Sequence, residues 1–126
     1  MIRKQVIQRF LDLGGKTTRN AIIIVKEKYS KAGRDEMWDA LVLLDSENKK
    51  ESSNYPKTTN CACCHLFVGG ICEECPLNVG QVDTGCDVIG YREVTKGLDL
   101  ENRSEFDSGC NALEGFCATW LEENPE

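Results

Sequence analysis

Cys61-Ala62-Cys63-Cys64-His65-Leu66-Phe67-Val68-Gly69-Gly70-Ile71-Cys72-Glu73-Glu74-Cys75-Pro76 carries two Cys-x-x-Cys pairs with seven residues between them. Each pair turns tightly enough for both sulfurs to face one ion, and Gly69-Gly70 lets the intervening arm fold back. Four soft thiolates on a tetrahedron, at Zn–S of about 2.3 Å, describe a closed structural zinc site. The expected ligands are therefore Cys61, Cys64, Cys72 and Cys75. An iron–sulfur cluster is the alternative cofactor, because Cys86 follows nearby and Pro76 follows Cys75 as in some ferredoxin runs, although their full spacing is missing. Cys86 is the first substitute ligand. Cys63 and His65 come after it, since both adjoin Cys64 and ligation by Cys64 and His65 together would strain the geometry.

Outward from this segment the chain reads as helices. At 126 residues it can bury one modest core. Upstream, Ile2, Val6, Phe10 and Leu13 recur at helical spacing, and Gly14-Gly15 stop that helix. Thr17 or Thr18 can cap a second helix running to about Ala32, before Gly33. Its run Ile22-Ile23-Ile24-Val25 would also suit a buried strand, but the flanking charges and length favour helix. A third helix is expected over 35–45, with Met37, Trp38, Leu41, Val42 and Leu44 on its apolar face. Residues 47–60 read as a polar linker. Residues 92–103 read as a charged stretch, and a last helix is expected over 105–122, with Cys110 and Cys117 as buried packing residues. The fold class is thus mainly α, a small helical protein whose irregular metal-stapled cysteine loop is clamped between the third and last helices. Residues 1–46 form a basic helical region, and 61–126 a cysteine-rich metal-binding region forming one compact unit with 35–46.

Charge is unevenly spread. Residues 1–34 carry nine Lys/Arg against Asp12 and Glu27, a surplus of +7, whereas residues 61–126 carry −10. Arg3, Lys4, Arg9, Lys16, Arg19, Lys26 and Lys31 could meet nucleic acid or an acidic partner, or the basic third could dock on the acidic half of its own chain. A helix-turn-helix is disfavoured, because its second helix would offer Asp35, Glu36, Asp39 and Asp45 to phosphates. The N-terminal stretch is too polar for a secretory signal, and the longest apolar run, Ala21 to Val25, is far too short to cross a membrane. A cytoplasmic setting is expected, where paired thiols stay reduced and serve metals more often than disulfides.

Enzyme patterns fail. The zinc-deaminase signature is missing around His65, and the phosphate-loop imitation Gly14-Gly15-Lys16-Thr17 has Phe10 where its first glycine belongs. A redox role for Cys72 and Cys75 is opposed by Glu73 and Glu74, which raise thiol pKa values. With one histidine in the chain, no histidine pair is available, and no enzyme activity is expected.

From Trp38 onward the arrangement resembles the small cysteine-rich proteins that recur in tailed bacteriophages. The resemblance rests on Trp38 with Leu41 and Leu44, Cys61/Cys64, Cys72/Cys75-Pro76-Leu77, Cys86, Tyr91, and Phe116 with Leu121. It covers about residues 37–123 and departs from the pattern at Cys63, at 92–103 and in the N-terminal third. It implies a phage or prophage origin and host cytoplasm, and it brings no settled activity. The expected function is a zinc-stabilised binding or regulatory protein acting on a basic or nucleic-acid-associated protein, such as a host defence or nucleic-acid enzyme. A nucleic-acid-binding accessory factor is the alternative, and an enzyme of unrecognised type comes third.

Overall fold

A computed structural model describes residues 1–57, 61–66, 75–77 and 89–125, with His65 and Leu66 described in backbone only. Among these residues the chain is helical and has no strand. The helices are α1 (Arg3–Asp12), α2 (Thr18–Tyr29), α3 (Lys31–Leu41), α4 (Ser46–Glu51), α5 (Ala62–Leu66), α6 (Tyr91–Asp99) and α7 (Arg103–Glu123).

α1 ends as its sequence demands. Gly14 and Gly15 both take positive φ, and their N–H groups donate to the carbonyls of Leu11 (3.1 Å) and Phe10 (2.8 Å). This double closure satisfies carbonyls that the helix end would leave bare. The Asn20 side chain donates to the carbonyls of Leu13 and Gly15, tying the turn to the start of α2. Thr17 caps α2 by accepting from the Asn20 N–H at 3.1 Å.

α2 is the hub, with α1, α3, α5 and α7 packed around it. Ala21, Ile22, Ile24, Val25, Lys28 and Tyr29 are all buried. A helix surrounded in this way needs apolar residues on more than one face, so its periodicity blurs into the continuous run that also resembled a strand.

The second helix ends three residues earlier than expected. Ser30 is extended, with ψ at 167°, and α3 begins at Lys31, so Gly33 lies inside a helix rather than stopping one. A side chain at Gly33 would collide with the carbonyl oxygens of Glu27 and Lys28, so glycine is needed for the close approach of α3 to the end of α2. The Tyr29 carbonyl at this corner accepts from Arg34 Nε (3.0 Å) and Nη2 (2.8 Å).

The expected linker begins as α4, capped by Asp45, whose side chain accepts from the Asn48 N–H at 2.9 Å. Lys49 is buried beside Glu101, at 3.4 Å. Residues 58–60 of that stretch lie outside the described residues. The described part of the cysteine segment packs chiefly on α2 rather than on the third helix.

The charged stretch 92–103 also differs from expectation, since most of it is α6, with Val94, Gly97 and Leu98 buried against α7. The two helices touch through glycine. Gly97 sits against Phe106, and a Cβ on Gly109 would lie 2.6 Å from both the Gly90 carbonyl oxygen and the Val94 nitrogen. Because those obstacles are backbone, Gly109→Ala should force α6 away from α7. The expected cost is roughly 1–3 kcal/mol, the usual penalty of overpacking. An unchanged urea midpoint in that variant would show that the crossing is loose.

α7 itself follows the sequence closely. Asn102 caps it by accepting from the Glu105 N–H at 3.1 Å, and Phe106, Cys110, Leu113 and Cys117 are buried. Trp38 of α3 leans on Phe106 with ring centroids 5.1 Å apart.

Candidate metal centre

Cys61 directly precedes α5, so the first turn of that helix folds back on its sulfur. Both the backbone N–H and the thiol of Cys64 donate to it, the Tyr91 hydroxyl lies 3.7 Å away, and the Lys28 ammonium acts on it from α2. Hydrogen bonding from Cys64 is the largest influence, and together these contacts overcome burial and pull the Cys61 thiol down to about 5. These contacts favour the thiolate form of Cys61.

Cys63 behaves in the opposite way. It is fully buried and hydrogen-bonded to Cys75, and that bond and its burial push its thiol far above the usual range. It remains an S–H donor to the Cys75 sulfur. The four cysteines line one cavity of about 160 Å³, together with Lys28, Tyr29, Pro56, Leu77 and Tyr91. The Tyr29 and Tyr91 rings meet edge to face at 5.6 Å. The Tyr29 hydroxyl is fully buried and has no hydrogen-bond partner among the described residues, and burial pushes it well above the usual tyrosine range.

The expected ligands Cys61, Cys64 and Cys75 thus meet at one cavity. Cys72, the substitute Cys86 and the His65 side chain lie outside the described residues. Among the described residues, no group of three or more His, Cys, Asp or Glu side chains is arranged to hold a metal ion. The sulfurs are instead joined in two pairs, Cys64 to Cys61 and Cys63 to Cys75. Chemically the set suits a soft metal, with a stabilised thiolate and further sulfurs close by. Cys110 and Cys117 are buried on α7, and burial pushes each thiol up to about 12. Cys117 nevertheless lies within electrostatic reach of Cys61 and Cys75.

Sequence reasoning missed Lys28. Its side chain is 2 % exposed, and its Nζ stands 5.5 Å from the Tyr29 ring centroid. Burial lowers the ammonium to about 8, while the sulfurs of Cys61 and Cys64 act in the opposite sense. The signal was present in the chain. Lys28 falls three and four residues after Val25 and Ile24, within the apolar stripe of α2.

The basic third is largely engaged by its own chain. Arg9 pairs with Glu27, with Nε 2.9 Å from a carboxylate oxygen, and Lys31 pairs with Asp35 at 3.0 Å. Arg19 donates to the Asn124 carbonyl at 2.8 Å. Arg34 is buried against α7, donating to Asn111 at 2.7 Å with Asp107 and Glu114 within 3.7 Å. Of the remaining nucleic-acid candidates, Arg3, Lys4 and Lys16 are exposed and Lys26 is half-buried. No helix among the described residues is long and apolar enough to cross a membrane. Comparison with protein families, curated proteins and solved structures returns no match to this chain.

Proposed function

We propose that the protein is a small zinc-stabilised binding protein of the host cytoplasm, of the phage type its cysteine segment resembles, that acts by contact with another protein. The observation carrying this reading is the meeting of Cys61, Cys64 and Cys75 at one cavity, with contacts that favour the Cys61 thiolate. The metal would be held by Cys61, Cys64, Cys75 and the fourth thiolate of the sequence pattern, Cys72, and would staple a glycine-punctuated segment onto α2. An iron–sulfur cluster is the other occupant that such a thiolate set suits.

Charge supports a protein partner over nucleic acid. Three N-terminal cations are paired, Arg9 with Glu27, Lys31 with Asp35 and Arg34 with Asp107 and Glu114, while residues 61–126 keep an excess of acid. Such a surface favours a basic protein, as found among nucleic-acid enzymes, and repels phosphate.

Nucleic-acid binding measured against salt tests the reading. The intact chain should bind DNA and RNA negligibly near physiological salt, while affinity capture from host lysate should retain its partner after nuclease treatment. Submicromolar binding that falls steeply with salt, and is lost when Arg3, Lys4, Lys16 and Arg19 become Gln, would instead make the protein a nucleic-acid-binding accessory factor.

A further inference from the structure

We infer that the outer face of α1 and α3 is the interface of a two-fold dimer of this chain, in which α1 of one protomer lies against α3 of its partner, and α3 against α1. α1 exposes Arg3, Lys4, Ile7, Gln8 and Leu11, whose spacing of three and four places them on one side of the helix. α3 exposes Ala32, Glu36, Asp39 and Ala40 in the same way, and Leu43 continues that line just past the helix end. One stripe is basic and aliphatic, the other acidic and aliphatic. Arg3, Lys4 and Asp39 have no ion pair among the described residues. Ile7, Leu11 and Leu43 are three of the four large hydrophobic side chains left exposed among those residues, with Leu11 at 68 % and Leu43 at 93 %. A single exposed aliphatic is ordinary, but these three gather on two neighbouring helix faces, each beside charge of one sign.

The two helices flank one another at the surface, where Gln5, Gln8 and Arg9 of α1 and Gly33 and Glu36 of α3 line a shared cleft. A two-fold axis through that cleft brings each basic stripe onto the other protomer's acidic one at the same time. α1 and α3 are 10 and 11 residues long, so the paired stripes match in length. The charge pattern selects the occupant. Pairing α3 with its own copy sets Glu36 and Asp39 against acid, and pairing α1 with its own copy leaves the acidic stripe uncovered. A second copy docked α1 on α3 supplies both complements through one self-complementary contact. One helix pair alone is small beside the roughly 1,200 Å² that a stable interface buries, and the symmetry doubles it. The interface uses none of residues 61–126, so it goes beyond the contact with a basic protein and does not compete with it.

The test is sedimentation velocity of the full-length protein under reducing conditions, across rising concentration. The parent should pass from monomer to dimer and grow no further, with the dimer weakened by added salt. Arg3→Glu with Lys4→Glu makes both stripes acidic, and Glu36→Lys with Asp39→Lys makes both basic. Each double variant alone should dimerise about tenfold more weakly than the parent, or worse, through like-charge repulsion. Their equimolar mixture should form a heterodimer of near-parental affinity, because both helix pairs are then complementary again. Leu43→Gln alters a side chain that is 93 % exposed in the single chain, so it should keep the fold and still weaken the dimer several-fold. If a charge-reversed variant unfolds, Leu43→Gln decides, and dimerisation within twofold of the parent overturns the inference. A parent that stays monomeric throughout overturns it, as does assembly that continues past the dimer or a mixture that fails to pair. A Glu36→Lys/Asp39→Lys variant that dimerises like the parent also overturns it, and points to α1 meeting its own copy.

Discussion

Serine at Cys61 should abolish metal uptake and lower the urea midpoint sharply, to that of the metal-free protein. Structural zinc contributes roughly 10–16 kcal/mol of apparent stability in small modules, as much as the entire stability of an ordinary domain. The same result is expected for serine at Cys64, Cys72 or Cys75, and for chelation of the parent protein. Elemental analysis of protein prepared under reducing conditions should find one zinc per chain, and a value near zero would sink the assignment. Strong visible absorbance from iron–sulfide charge transfer would redirect it to a cluster.

Acid should act at the same place. In the metal-free fold the Cys61 thiol is pulled down to about 5, from an ordinary value of 9.0, chiefly by hydrogen bonding from Cys64. A depressed acid contributes stability that is complete above the unfolded value and lost as pH falls through the folded one. Urea midpoints of the metal-free protein should therefore decline between pH 9 and pH 5, and Cys61→Ser should flatten that decline. In the metal-bound protein the proton competes with the metal for the same sulfur, so acidification should release the metal.

The second large effect is expected at Arg34. Its side chain is 9 % exposed and joins the corner between α2 and α3 to α7, through the Tyr29 carbonyl, Asn111, Asp107 and Glu114. Arg34→Met would leave the Tyr29 carbonyl without those two donors, at roughly 1–3 kcal/mol for the unsatisfied group. It would also remove the cation beside Asp107 and Glu114. Asp107 keeps Arg103 at 2.9 Å, and both carboxylates are about a third exposed, at 36 % each, so water screens much of that loss. The total should be about 2–4 kcal/mol, read as a lowered urea midpoint. Arg34→Lys should recover less than half, because one ammonium cannot reproduce the fork that holds Tyr29 and Asn111 together. Full recovery by lysine would show that charge alone matters there.

How much of this was legible depended on whether the determining contact was local. α1 and α7 were legible because their signals lie within a few residues: Gly14-Gly15 closing one helix, Asn102 and the Phe106, Cys110, Leu113 and Cys117 stripe opening the other. The α2–α3 corner was misplaced because Gly33 reads as a stop when taken alone. Its actual role is to let α3 approach the carbonyls of Glu27 and Lys28, while Arg34 satisfies Tyr29. α6 was missed because Val94 and Leu98 make a thin apolar stripe among charges, and Gly97 looks like a breaker. What fixes it is the approach of Gly97 to Phe106 in a different helix. At the site, the Cys-x-x-Cys spacing marked Cys61, Cys64 and Cys75. The place of Cys63 was not legible, because its partnership with Cys75 spans the arm between the pairs. Lys28 showed its place in the apolar stripe of α2, but not the cavity it shares with cysteines that the chain supplies much later.

The central position of α2 sets the timetable of synthesis. α2, whose Ile22, Ile24 and Val25 are buried, packs more extensively on α7 than on any other helix, yet α3 through α6 must be made before α7 exists. At roughly 5–20 residues per second that wait is on the order of several seconds. Throughout it, a β-branched apolar run stands in a nascent chain without its cover, the kind of segment that pairs with copies of itself. Polyribosomes bring such copies close together, so the hazard of self-pairing falls in that interval and not in the finished fold.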